Sequence, residues 1–221
     1  DRERAQWWGD AVNELGEAFY VYDAQRGPLL AKKGIAELCN WQRSDGTLYS
    51  PVPFGNWNKE LPRQMLASAG WYGFWTYYRY SADRDTIEMA YPHVKRYLDV
   101  WELGSDGLIK HRTGEWDWTD WGTNKDVAVI ENSWMYLALK AAVEMAALTD
   151  NEADIPAYRT QMESIEANFN DTFWQGDRYR SPGYGGATDD RANAMAVIAG
   201  LAETEYYDAI LEVLKTQRHA S

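Results

Sequence analysis

Trp8-Gly9-Asp10-Ala11-Val12-Asn13-Glu14-Leu15-Gly16-Glu17-Ala18-Phe19-Tyr20-Val21-Tyr22 sets Trp8, Val12, Leu15, Phe19 and Tyr22 three and four residues apart. That spacing lines one face of an α-helix. Asp23 to Gly27 then reads as a turn, with Pro28 suited to a first helical position and a second helix running to about Trp41. The unit is a helical hairpin, and it recurs. A second hairpin starts near Leu61-Pro62, passes through Met65, Trp71, Trp75 and Tyr78, breaks at Ser81-Ala82-Asp83 and returns from Thr86 to about Trp101, with Asp83 as N-cap. A third runs from about Val127 to Leu148, turns at Thr149-Asp150 and returns to Trp174, and a fourth runs from Asp190 to Ala202 and back from Tyr206 to Gln217.

The turns within hairpins are short, whereas the links between them, 44–60, 102–126 and 175–189, are long and rich in Gly, Trp and Asp. A ring of such hairpins gathers its long links on one face, where loops carry function. The expectation is an all-α chain of eight long helices in antiparallel pairs, with Leu48-Tyr49 and Leu108-Ile109-Lys110-His111 forming small β-hairpins inside the links. A tetratricopeptide solenoid repeats about every 34 residues with short links throughout, against about 60 here, which disfavours it.

No linker of Pro, Gly and Ser divides the 221 residues, so they read as one domain, 1–221. A net charge of −12 argues against nucleic-acid or anionic-membrane partners, which require a basic patch; a neutral carbohydrate is compatible with it. Cys39, the sole cysteine, permits no internal disulfide. His93, His111 and His219 lack the spacing of a closed metal site, Gly183-Tyr184-Gly185-Gly186 lacks the Lys-Ser/Thr ending of a phosphate loop, and Gly-x-Ser-x-Gly is absent. Neither metal nor cofactor is expected.

Twelve tryptophans remain to be explained, and many sit beside carboxylates: Trp7 and Trp8 before Asp10, Phe54-Gly55-Asn56-Trp57, and Glu115-Trp116-Asp117-Trp118-Thr119-Asp120-Trp121. Indole faces cover the C–H faces of pyranose rings while carboxylates accept hydroxyl hydrogen bonds, and two well-placed carboxyls can break a glycosidic bond. Trp7, Trp57, Glu115, Trp118, Asp120 and Trp121 are therefore candidate sugar-binding residues, and Glu3 and Asp10 candidate catalytic carboxyls. Burial of the tryptophans in a core is the bland alternative, though core positions do not call for a carboxylate at nearly every second residue. Glu3 and Asp10 lie seven residues apart, so on a helix both would point to one side with Trp7 between them. An acidic, solvated first turn accounts for the same spacing.

Arg2-Glu3-Arg4, Trp7 and Gly9-Asp10 resemble the Arg-Glu-Arg-Leu-Gly-Trp-Thr-Gly-Asp signature of the α-L-rhamnosidases of glycoside hydrolase family 78, with Ala5-Gln6 in place of Leu-Gly and Trp8 in place of Thr. Trp118-Thr119-Asp120-Trp121 is similar to that family's Gly-Asp-Trp loop, Tyr78–Asp83 to its Tyr-x-x-Tyr-Thr-Gly-Asp turn, Tyr91-Pro92-His93-Val94-Lys95-Arg96 to its Tyr-Pro-x-x-Lys stretch, and Asp189–Ala199 to its late helix. The resemblance implies an (α/α)6 barrel, of which four hairpins are present here and the rest would flank Asp1 and Ser221. It also implies inverting hydrolysis of terminal α-L-rhamnosyl bonds, with Glu3 as general acid, Trp7 against the sugar, Asp10 binding rhamnose hydroxyls, and a general base beyond Ser221. Two other readings stand: a six-hairpin glycosidase acting on an unsaturated uronide, anchored by Arg112, Lys125 or Arg191, and a carbohydrate-binding protein without catalysis.

Overall fold

The computed structural model describes residues 5–23, 25–53, 59–117, 119, 122 and 124–217. Nine α-helices form among them: α1 (Trp8–Val21), α2 (Arg26–Asn40), α3 (Pro62–Ala69), α4 (Thr76–Ser81), α5 (Arg84–Leu98), α6 (Val127–Leu148), α7 (Ile155–Phe173), α8 (Asp190–Ala199) and α9 (Tyr207–Thr216). A π turn, Trp71–Trp75, joins α3 to α4 into one bent rod, so eight rods pair as four hairpins. Helices α1, α3, α6 and α8 pack side by side as an inner layer, and α2, α5, α7 and α9 lie outside them.

Burial follows this layering. The inner helix α6 is covered on all sides, by α3, α5, α7 and α8, and buries Val129, Ile130, Met135, Leu139, Ala142 and Met145. The outer helix α7 buries only the stripe Tyr158, Ile165, Phe169 and Phe173, as an amphipathic surface helix should. Trp8 is fully buried and meets Phe74 edge-on, with ring centroids 6.0 Å apart, so this tryptophan is core. Burial pushes the Cys39 thiol up to about 12, which makes it a packing residue rather than a nucleophile.

The structure corrects the sequence reading at three element boundaries. Pro28 stands two residues inside α2 rather than at its first position, because the Asp23 side chain accepts from the Gln25 and Arg26 amides (3.0 and 2.8 Å) and starts the helix earlier. Helix α8 stops at Ala199, not Ala202: Gly200 takes φ 81°, and the Leu201 and Ala202 amides turn back to the Ala196 carbonyl. The rod expected from Leu61 to Tyr78 is interrupted at Gly70, whose missing side chain lets α6 approach. A Cβ there would lie 3.0 Å from the Ala138 Cα and 2.4 Å from the Leu66 carbonyl oxygen. The expected β-hairpins reduce to isolated bridges such as Ser50 with Lys59 and Leu103 with Ile109.

The three long links meet at the end of the fold where the inner helices begin. Arg43 pairs with Glu115 (2.6 Å) and Arg112 with Glu60 (2.9 Å), joining the first link to the second. The Ser181 amide donates to Asp126 (2.6 Å) and the Ala187 amide to Asn124 (3.1 Å), joining the second to the third. Loops anchored to one another in this way present a common face above the N-terminal ends of α1, α3, α6 and α8.

Candidate active site

The entry into α1 fixes the first part of this face. Gln6 forms an antiparallel bridge with Val52, the Trp8 amide donates to Ser50 Oγ (2.9 Å), and Trp7 is the extended N-cap residue. Residues 5–7 are thus held against the first link and are not helical. Helix α1 therefore does not carry Trp7 and Asp10 on one face, because the chain before Trp8 is committed to the bridge. Asp10 itself lies exposed in the first turn of α1, where the helix dipole favours a carboxylate.

Between the inner helices runs a cleft of about 310 Å³. Gly9, Arg63, Gln64 and Thr119 line it near the helix N-termini, and Tyr72, Trp134, Met195 and Ile198 line it further along the helices. Tyr72 meets Trp134 edge-on at 5.7 Å, giving the cleft an aromatic wall. The π turn is what allows this. It places Tyr72 beside α6, and the Trp75 amide bonds back five residues to the Gly70 carbonyl (3.2 Å). Two buried polar atoms beside it, Gln64 Oε1 and Thr119 Oγ1, have no hydrogen-bond partner among the described residues.

Arg63 forms one wall. It is 2% exposed, and its guanidinium donates to Glu131 on α6 (2.8 Å) and to Asp117 in the second link. His111 faces the same two carboxylates, Nδ1 toward Glu131 (3.0 Å) and Nε2 toward Asp117 (3.4 Å). Its pKa is raised, chiefly by the hydrogen bond to Glu131, which outweighs its partial burial. Beyond this wall lies a second, more polar cleft of about 600 Å³, lined by Arg43, Glu60, His111, Arg112 and Glu115 among others.

The candidate residues separate accordingly. Gly9, next to Asp10 in sequence, shares the inner cleft with Thr119, which stands between Trp118 and Asp120. Glu115 lines the polar cleft instead. Its carboxylate accepts from the Glu60 amide (2.9 Å) and from Arg43, and although burial works against ionisation, these bonds hold its pKa below the usual range. Glu3, Trp57, Trp118, Asp120 and Trp121 lie outside the described residues. Arg63, Asp117 and Glu131 were not singled out from the sequence. The available signal was Glu131-Asn132-Ser133 within an apolar helix, since a buried carboxylate demands a cation. Among the described residues, no group of three His, Cys, Asp or Glu side chains could hold a metal ion, and no helix is long and apolar enough to cross a membrane.

Comparison with known proteins gives this geometry a context. The family model described as the bacterial alpha-L-rhamnosidase 6 hairpin glycosidase domain matches residues 1–220. An α-L-rhamnosidase of Streptomyces avermitilis is 26% identical over 181 residues, covering 79% of this chain and 16% of that protein. The fold is similar to that of a glycoside hydrolase family 78 rhamnosidase of Bacillus sp. GL1 (TM-score 0.81, 18% identity, 99% of this chain and 23% of that one). It is also similar to a rhamnosidase of Klebsiella oxytoca solved with rhamnose bound (TM-score 0.80, 18% identity, 99% of this chain and 43% of that one). The chain thus spans less than half the length of each of these relatives.

Proposed function

Because the chain belongs to the bacterial α-L-rhamnosidase six-hairpin glycosidase domain family, we propose that it forms the central part of the catalytic (α/α)6 barrel of a larger enzyme that hydrolyses terminal α-L-rhamnosyl bonds. The observation that carries this reading is the inner cleft. It joins Gly9, beside Asp10, to Thr119, between Trp118 and Asp120, although the two segments are over a hundred residues apart. Its aromatic wall and its polar side chains Asn13, Gln64 and Thr119 suit a monosaccharide, which needs an apolar surface for one face and partners for its hydroxyls.

In this reading hydrolysis proceeds with inversion. Glu3 protonates the leaving glycosidic oxygen, and a carboxylate outside this chain, roughly 6.5–9.5 Å from it, activates water on the opposite face of the ring. Asp10 binds sugar hydroxyls, and Trp7, Trp57, Trp118, Asp120 and Trp121 supply further sugar contacts. The uronide alternative is weakened because two of its cationic anchors already serve the protein: Arg112 pairs with Glu60, and Arg191 with Asp189 (3.1 Å).

The test is made on the intact protein that carries this domain, with rhamnosides of good and poor leaving groups. Glu3→Gln removes the transferable proton and should lower kcat on a poor leaving group by about 10²–10⁴-fold, and by much less on a nitrophenyl rhamnoside that needs little protonation. Asp10→Asn should depress both substrates alike. Equal losses on the two substrates for Glu3→Gln would remove Glu3 from the acid role, and absence of turnover of any rhamnoside by the wild-type protein would leave the non-catalytic binding reading in its place.

A further inference from the structure

The ion cluster in the cleft wall is more than the packing of α3 against α6 requires. Arg63 and Glu131 are 2% and 1% exposed at the side chain, and burying such a pair is no more stabilising than filling the space with apolar groups of the same volume. What the pair gains is a fixed charge to which a loop can be tied. The element tied is the second link. Asp117 accepts from Arg63 on one side and faces His111 Nε2 on the other, while His111 Nδ1 reaches back to Glu131. A protonated His111 donates through Nδ1 to Glu131 and stands 3.4 Å from Asp117 as an ion pair, so Asp117 faces two cations from two segments of the chain. Two residues later the same link places Thr119 in the inner cleft opposite Gly9 and Gln64.

We propose that Arg63, Glu131 and His111 are positioning residues which, acting through Asp117, hold Thr119 of the second link against the inner cleft for sugar binding. The inference rests on the reading of that cleft as the sugar site. Positioning matters there because a displacement of about 1 Å in a binding group can cost about 10²-fold in rate. Neither Arg63 nor His111 needs to touch the sugar to have this effect.

The experiment uses the intact protein and L-rhamnose as the probe, with affinity measured by calorimetry well below the melting temperature of each variant. Asp117→Asn keeps the shape and removes the charge; it should weaken rhamnose binding about tenfold and speed backbone hydrogen exchange across residues 113–117. His111→Gln, at a half-exposed position where misfolding is not expected, should do the same to a smaller degree. The double variant should be no weaker than Asp117→Asn alone, because His111 acts only through Asp117. Additive losses, or unchanged rhamnose affinity in Asp117→Asn beside a wild-type protein that binds, would overturn the positioning role and leave the sugar reading intact. A wild-type protein that binds no rhamnose would sink the sugar reading and this inference with it.

Discussion

Asp83 accepts hydrogen bonds from the Thr86 amide (3.2 Å), the Thr86 hydroxyl (2.6 Å), the Tyr77 hydroxyl (2.7 Å) and Lys32 (3.1 Å). One carboxylate thus caps α5 and ties it to α4 and α2, a role the sequence announces through Ser81-Ala82-Asp83 ahead of a helical pattern. Burial alone would raise the Asp83 pKa, but the bonds from Thr86, Tyr77 and Lys32 win and hold it far below the usual carboxylate range. A depressed folded-state value means that its contribution is complete above the unfolded value of about 3.9 and fades as pH falls through the folded one. Asp83→Asn keeps the cap through Oδ1 but sets an amide donor against the Tyr77 and Thr86 hydroxyls and Lys32, and should therefore lose about 2 kcal/mol at pH 7. In urea titrations the gap to wild type should narrow steadily below about pH 4. A gap that stays constant from pH 7 to pH 2 would show that the charge is not what holds the cap.

At the scale of the element, the bent rod of α3, π turn and α4 shows where periodicity misleads. Met65, Trp71, Trp75 and Tyr78 read as one amphipathic helix, yet the backbone makes a π turn between Gly70 and Thr76. Nothing in the side-chain spacing signals it, because the cause is the neighbour. Ala138 of α6 presses on Gly70, and at Gly73 a Cβ would fall 1.9 Å from the Ser68 carbonyl oxygen. Gly70→Ala should force α3 away from α6 and lower stability by about 3 kcal/mol, the upper end of overpacking costs, since the atoms in the way are backbone. The same shift should separate Tyr72 from Trp134 and weaken binding at the cleft they line. Thermal melts and rhamnose titration of this variant check both consequences. A neutral Gly70→Ala would mean that the turn relaxes to an ordinary helix at no cost.

For the whole molecule, the inner layer α1, α3, α6 and α8 has two lateral edges among the described residues, and both are apolar. Tyr20, Val21, Leu29 and Leu30 are exposed on the first hairpin, and Ile198, Leu211 and Leu214 on the last. The Leu30 side sits beside a groove shared with Ala18, Val21 and Tyr22. Patches of this kind drive association in water. The 221-residue chain by itself should therefore self-associate, with an apparent mass in light scattering that rises with concentration. Leu29→Glu combined with Leu211→Glu should shift it toward monomer. A wild-type chain that stays monomeric at high concentration would show that these edges are tolerated in water.

Hairpin number, the near bounds of α1, α6 and α7, the Asp83 cap and the grouping of long links were legible in the sequence, because each depends on contacts a few residues apart or on an apolar stripe with one period. The density of Trp and carboxylate also drew attention to residues 115–121, of which Thr119 lines the inner cleft and Glu115 the polar one. Tertiary structure decided the rest. It made Trp8 core and drew Glu115 into a clamp on the first link. It also kept Gln6 out of α1 by pairing it with Val52. The buried pair of Arg63 and Glu131, with the partly exposed Asp117 and His111 beside it, is likewise invisible along the chain, where its members stand up to 68 positions apart. Charges find such partners only when the helices that carry them are packed and water is excluded, so their pairing is a property of the assembled layers and not of any local stretch.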